Sequence, residues 1–199
     1  AEALELAQQA LEIARTHQND WGEAWALNIA GVAQLNLGRA AAAEATYQET
    51  VELAQSLNDA FPLNLSRVNL GAVYMAQGNV AAAREQFQQA LAYLEQPTAS
   101  PELELRRQYY HALVLQWAGL GALRTEDFEP ALNFFEQSLT LSRDIGNLAV
   151  EAGTLLVKGQ LQEQRSAATL ALEAYQQALS LYQELNLPLE IGSASFRIG

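Results

Sequence analysis

The sequence predicts an all-α solenoid of antiparallel helix pairs, and three observations predict it. Five glycines, Gly31, Gly71, Gly119, Gly159 and Gly199, stand 40, 48, 40 and 40 residues apart. Twelve residues after each of the first four comes an alanine (Ala43, Ala83, Ala131, Ala171), and four further on an aromatic (Tyr47, Phe87, Phe135, Tyr175). A small residue follows three later (Thr50, Ala90, Ser138, Ala178), and the helix formers Ala, Leu, Gln and Glu dominate the composition. A fixed period of this length marks one supersecondary unit stacked on itself.

The elements follow in order from that register. Ala3, Ala7, Ala10 and Leu11 lie 40 residues before Ala43, Tyr47, Thr50 and Val51, so residues 1–18 read as the second helix of a truncated repeat. Residues 19–58 and 59–98 are full repeats, 99–146 a repeat with an eight-residue insertion, 147–186 a fourth, and 187–199 the first helix of another. All of 1–199 is thus expected to form one continuous solenoid, cut from a longer protein.

Turn residues separate the helices. Gly38-Arg39 and Gly78-Asn79 divide the first two hairpins; glycine tolerates the left-handed ending of a helix and asparagine caps the next. Around the second turn the pattern predicts helices over 62–77 and 80–96. Asp127 precedes Phe128-Glu129-Pro130, with proline in a first turn, where its missing N–H costs little. Asn19-Asp20, Asn58-Asp59, Gly146-Asn147 and Asn186-Leu187-Pro188 link one hairpin to the next. The insertion holds Pro97 and Pro101, with Ser100 placed to cap a long helix from 101 to about 124. The fourth repeat departs most: Ser166 replaces the turn glycine, and Lys158 precedes Gly159 where apolar residues stand elsewhere.

Glycine and alanine at the marked positions let two helix backbones approach closely, and the aromatic is placed to fill the wedge between hairpins. Leu70-Gly71-x-x-Tyr74-x-x-x-Gly78 followed by Ala83-x-x-x-Phe87-x-x-Ala90-Leu91 resembles the tetratricopeptide repeat at every marker. The resemblance covers essentially the whole chain. It is closest to the variety with about 40 residues per repeat, as in kinesin light chains, the sensor part of the bacterial maltose-regulon activator and some peptide-pheromone receptors. It implies a right-handed superhelix with first helices lining a concave face. It is nearly silent on function.

The implied groove carries a stripe at helical spacing on each first helix. The first repeat supplies Trp21, Trp25, Asn28, Val32 and Leu35, the second Phe61, Leu65, Val68, Ala72 and Met75, and the third Tyr109, Leu113, Gln116, Leu120 and Leu123. Ala149, Gly153, Leu156, Gln160 and Glu163 follow in the fourth. We expect ligand contacts at Trp21, Trp25, Asn28, Leu35, Phe61, Leu65, Met75, Gln116 and Leu120. An apolar groove with isolated amides suits an amphipathic helix or extended peptide. The same leucines and valines would equally serve packing between neighbouring first helices. The groove lacks the lysine and arginine rows of chaperone-binding members of the family, so no carboxylate clamp is expected there. The long third-repeat helix offers a second contact at Arg106, Arg107 and Tyr110, with Glu102 and Arg106 paired one turn apart.

The chain has 23 acidic and 11 basic residues, a net charge of −12. Such a surface repels a phosphate backbone or an anionic membrane, so neither nucleic acid nor membrane is expected as a partner. No apolar run approaches a membrane span, and no signal peptide is visible. With no cysteine, a reducing, cytoplasmic setting is expected. His17 and His111 lie on different repeats without ligands at metal spacing, so no metal or other cofactor is implied. Gly119-Leu120-Gly121 lies inside a helix, lacks the third glycine of a dinucleotide loop, and is set aside. An enzyme is not expected. Two functions remain. One is a protein-interaction scaffold within a larger regulatory protein, taking a peptide or helix. The other is the small-molecule sensing domain of a bacterial transcriptional regulator. The half-repeats at either end also predict end-to-end association of copies.

Overall fold

A computed structural model describes residues 2–57, 60–95 and 101–198, which form ten α-helices and no strand. The chain divides into two compact units, Ala1–Gln96 and Pro97–Gly199. The first holds α1 (Glu2–Thr16), α2 (Asp20–Asn36), α3 (Ala40–Leu57), α4 (Ala60–Ala76) and α5 (Val80–Leu94). The second holds α6 (Pro101–Arg124), α7 (Phe128–Asp144), α8 (Leu148–Gln164), α9 (Ala168–Glu184) and α10 (Pro188–Ile198). Within each unit every helix packs on the next in sequence. The first helices of successive pairs, α2 with α4 and α6 with α8, also touch.

Seven described turns, within hairpins and between them, share one geometry. A single residue at each adopts positive φ: Gln18, Gly38, Gly78, Glu126, Gly146, Ser166 or Asn186. The N–H that follows it donates to the carbonyl five residues back, as Asn79 N to Tyr74 O at 2.8 Å and Ala167 N to Gln162 O at 2.8 Å. This closes orphan carbonyls at the helix end. Ser166 therefore makes the same turn as the glycines, at φ +60°. The expected cap at Asn79 forms, its Oδ1 accepting from Ala82 N–H at 3.3 Å, and Asn19 and Asn147 cap in the same way, accepting from the N–H groups of Gly22 and Val150 at 3.0 Å each. Asp127 instead accepts from Thr125 Oγ1 at 3.0 Å and makes no side-chain cap bond. The Asn58-Asp59 link, the segment 97–100 with Ser100, and Gly199 lie outside the described residues.

The repeat glycines are explained by the aromatic of their own hairpin. A Cβ added at Gly31 would stand 2.5 Å from the Tyr47 ring, and one at Gly71 2.4 Å from Phe87. At Gly119 the distance to Phe135 would be 2.5 Å, and at Gly159 to Tyr175 2.4 Å. The close approach is thus ring on backbone, sixteen residues apart. The other side of the ring fills the wedge expected from sequence. Tyr47 clusters with Leu70 and Val73 of the next first helix, and Phe135 with Leu161. Both rings are fully buried, and burying a large aromatic is among the strongest single contributions to a core. Apolar side chains are left uncovered on α1 (Leu6 and Ile13) and on α10 (Leu189 and Phe196). No helix among the described residues is long and apolar enough to cross a membrane.

Candidate protein-interaction surface

The surface begins with the capped first turn of α2. Asn19 fixes the helix start, which places Trp21 on the outer side of the first turn, half exposed. Trp25 follows one turn later, half-buried, its ring centroid 5.7 Å from that of Trp21 with the planes tilted by 59°. Ile29 and Val32 continue the line, 49% and 46% exposed. Four large apolar residues at i, i+4, i+8 and i+11 thus form a strip along one helix, exposed at Trp21, Ile29 and Val32 and half-buried at Trp25.

The other expected contacts divide. Asn28 is 3% exposed and lies between α2 and α4. Its Nδ2 donates to Ser66 Oγ at 2.9 Å and to the Ala24 carbonyl at 3.2 Å, and its Oδ1 accepts from Asn69 Nδ2 at 3.2 Å. Both ends of the amide are used within the protein, so Asn28 ties two first helices together. Met75 is 4% exposed and equally enclosed. Leu35 borders the Ala43–Tyr47–Leu70–Val73 core, and Leu120 borders the core around Phe135 and Leu161. Leu65 is half-buried on α4. The Phe61 side chain lies outside the described residues. Gln116 lies against α8, where a Cβ at Gly153 would stand 2.7 Å from its Nε2. Gly153 is therefore the space that lets this amide lie across the neighbouring helix.

Helical spacing alone missed Ile29. The spacing 21, 25, 28, 32 and the spacing 21, 25, 29, 32 are both helical. Only the position of α4 decides that residue 28 faces inward and residue 29 outward.

The extension of α6 is also partly enclosed. Tyr110 is 7% exposed and meets Tyr109 edge-on at 4.8 Å, and burial raises its phenol pKa. Arg107 Nε donates to Glu104 at 2.8 Å, an i,i+3 pair. Glu102, expected to pair with Arg106, has its side chain outside the described residues. Arg106 lines an open cleft with Leu105, Tyr109 and the Ile145-Gly146-Asn147 link.

An all-helical chain of hairpins with a ring seated on a glycine in each, and an apolar strip on a first helix, defines a helical-repeat protein. Residues 66–97 match the family model of the tetratricopeptide repeat, and the chain has the fold of tetratricopeptide-repeat proteins over essentially its whole length. No curated protein sequence matches it. Among solved structures it is similar to BtubC from P. vanneervenii, at 17% identity and a TM-score of 0.78, over 99% of this chain and 80% of that one. It is similar to the tetratricopeptide-sensor-bearing signal transduction ATPase with numerous domains from Pyrococcus horikoshii, at 16% identity and a TM-score of 0.74. That match covers 98% of this chain and 29% of the ATPase. A third similar structure is a Rap protein complexed with Competence and Sporulation Factor, at 14% identity and a TM-score of 0.68, over 98% of this chain and 57% of Rap. At these identities the likeness speaks for the fold.

Proposed function

We propose that this chain is a protein-interaction scaffold that takes a peptide or helix on the α2 strip of Trp21, Trp25, Ile29 and Val32. The observation that carries the reading is a contacting tryptophan pair on a capped helix, with Trp21 half exposed and Trp25 half-buried beside it. Large aromatics give contact area at low entropic cost and dominate binding energy where they occur in interfaces. The tie from Asn28 to Ser66 and Asn69 holds α2 in place, so the strip is presented ready-made. The acidic balance of the chain works against nucleic acid as a partner. The Rap protein complexed with Competence and Sporulation Factor offers a fold-level parallel for a chain of this fold that takes a binding partner.

Tryptophan fluorescence tests the proposal. Adding an amphipathic leucine-rich helical peptide should shift emission to the blue, and Trp25→Ala should weaken binding about 30-fold, the equivalent of roughly 2 kcal/mol for an aromatic anchor. Peptide affinity unchanged in Trp25→Ala would defeat this assignment. A second reading, a sensing domain for a small inducer, draws on the repeat sensor of the Pyrococcus horikoshii ATPase. A shift with sugars and none with peptides would favour it.

A further inference from the structure

We infer that Arg67 is the receiving group of a carboxylate-binding site set where α4 meets α5, separate from the α2 strip. The position is unusual in the repeat register. Four residues before the repeat glycine the other repeats carry Leu27, Leu115 and Leu155, each buried at 2–3% exposure. The second repeat carries an arginine there, itself only 8% exposed.

Its bonding is incomplete. Arg67 Nη1 donates to the Gln89 carbonyl at 3.3 Å, while Nε is buried with no acceptor. Among the described residues no carboxylate forms an ion pair with it. Desolvation lowers its pKa, yet a guanidinium keeps its proton in a protein. Among the described residues the result is a largely buried positive charge held by a single long hydrogen bond to a neutral group. Such a charge is costly unless a counter-charge and further acceptors complete it. A leucine would have packed the same position without that cost, as it does three times elsewhere in this chain.

The chemistry of the missing partner follows from the donor. A planar guanidinium with unused N–H groups matches a carboxylate oxygen pair in geometry and in charge. One arginine balances a monoanion. In a chain of net charge −12, a polyanion such as a nucleic acid or a multiply phosphorylated peptide meets repulsion from everything around it. The carboxylate comes either from an acidic side chain of a protein partner or from a small free acid.

Thermal melts at constant ionic strength test the site, with sodium acetate replacing sodium chloride. The wild-type protein should gain a saturable rise in Tm, roughly 3–6 °C at ten times Kd for a chain of this size. Arg67→Leu should melt higher than wild type in chloride and lose the saturable acetate response. Arg67→Lys, which keeps the charge without the fork, should respond more weakly than wild type. An acetate response equal in wild type and Arg67→Leu, or none in wild type, would overturn the inference. A capped peptide with one glutamate and its glutamine twin separate the sources. Preference for the glutamate peptide that vanishes in Arg67→Leu identifies a protein-borne carboxylate. An Arg67-dependent acetate response without that preference identifies a small acid. The readout does not involve Trp25, so it stands or falls independently of the α2 surface.

Discussion

Gly71→Ala should destabilise the protein, although in most helices the same change helps. Alanine is favoured over glycine in a helix interior by about 0.5–1 kcal/mol. Here the new Cβ would meet Phe87 Cε1 at 2.4 Å, Cζ at 2.7 Å and Cδ1 at 3.0 Å. Carbon atoms in good contact sit about 3.5–4.0 Å apart, so the overlap at the nearest atom exceeds about 1 Å. Phe87 is 1% exposed and has no open side to swing into. Overpacking of this kind costs about 1–3 kcal/mol, which leaves a net loss of roughly 1–2 kcal/mol. The sign should reverse in a Phe87→Leu background, which removes Cε and Cζ, the two nearest atoms. There Gly71→Ala should be neutral or stabilising by up to about 1 kcal/mol, a coupling of at least about 1 kcal/mol between the sites. Urea titrations followed by circular dichroism measure all four proteins, compared only where the m-values agree, because repeat arrays can lose two-state behaviour. Equal effects of Gly71→Ala in the two backgrounds, within about 0.5 kcal/mol, would refute the ring-on-glycine account. By the same account Phe87→Ala should cost about 3–5 kcal/mol, and Gly71→Leu should be worse than Gly71→Ala.

Two further changes follow from single groups. Tyr47 Oη is buried without a partner, and phenylalanine occupies the equivalent position at 87 and 135, so Tyr47→Phe should leave stability unchanged or raise it by up to about 1 kcal/mol in thermal melts; a clear loss would show a hidden bond. Burial also raises the Tyr47 pKa, and burial with the bond to Glu163 lifts that of Tyr175 to about 12. Folded-state values above the unfolded one mean this share of stability is intact below pH ~10 and is lost as pH rises further, because the unfolded phenols ionise first. Tyr47→Phe should flatten that alkaline loss by up to about 1.4 kcal/mol per pH unit, and an unchanged slope would contradict the burial argument. Ser166 holds φ +60°, a conformation costing a non-glycine residue about 1–2 kcal/mol. Part of that is offset by the greater freedom of glycine in the unfolded chain, so Ser166→Gly should stabilise by about 0.5–1 kcal/mol, and a drop in Tm would count against the turn geometry.

The fold was legible because its determinants repeat. Gly71 and Phe87 say little alone, but the same pair at 31 and 47, 119 and 135, and 159 and 175 announces a packing rule. The turn at Ser166 was less legible. The rule there is a backbone conformation, and glycine is only its cheapest occupant; Gln18, Glu126 and Asn186 also adopt it. Lys158, which broke the apolar pattern beside Gly159, is half-buried and sends its ammonium to Glu136 Oε1 at 2.6 Å, so its stem packs while its charge reaches a partner. The candidate surface was legible at Trp21, Trp25 and Val32 but not at Ile29. Residues 28 and 29 are about 100° apart around the helix, and which of them is covered depends on Ser66 and Asn69 of another helix. Arg67 carried a visible signal in the column Leu27, Arg67, Leu115, Leu155, but its lack of an acid partner could be seen only in three dimensions.

Because each ring finds its glycine so near along the chain, that contact closes without waiting for distant segments. Short closures carry little entropic penalty and favour quick folding. Every repeat therefore brings its own stopper. Copies of it can be gained, lost or shuffled in evolution with only the borders between neighbours left to be matched again.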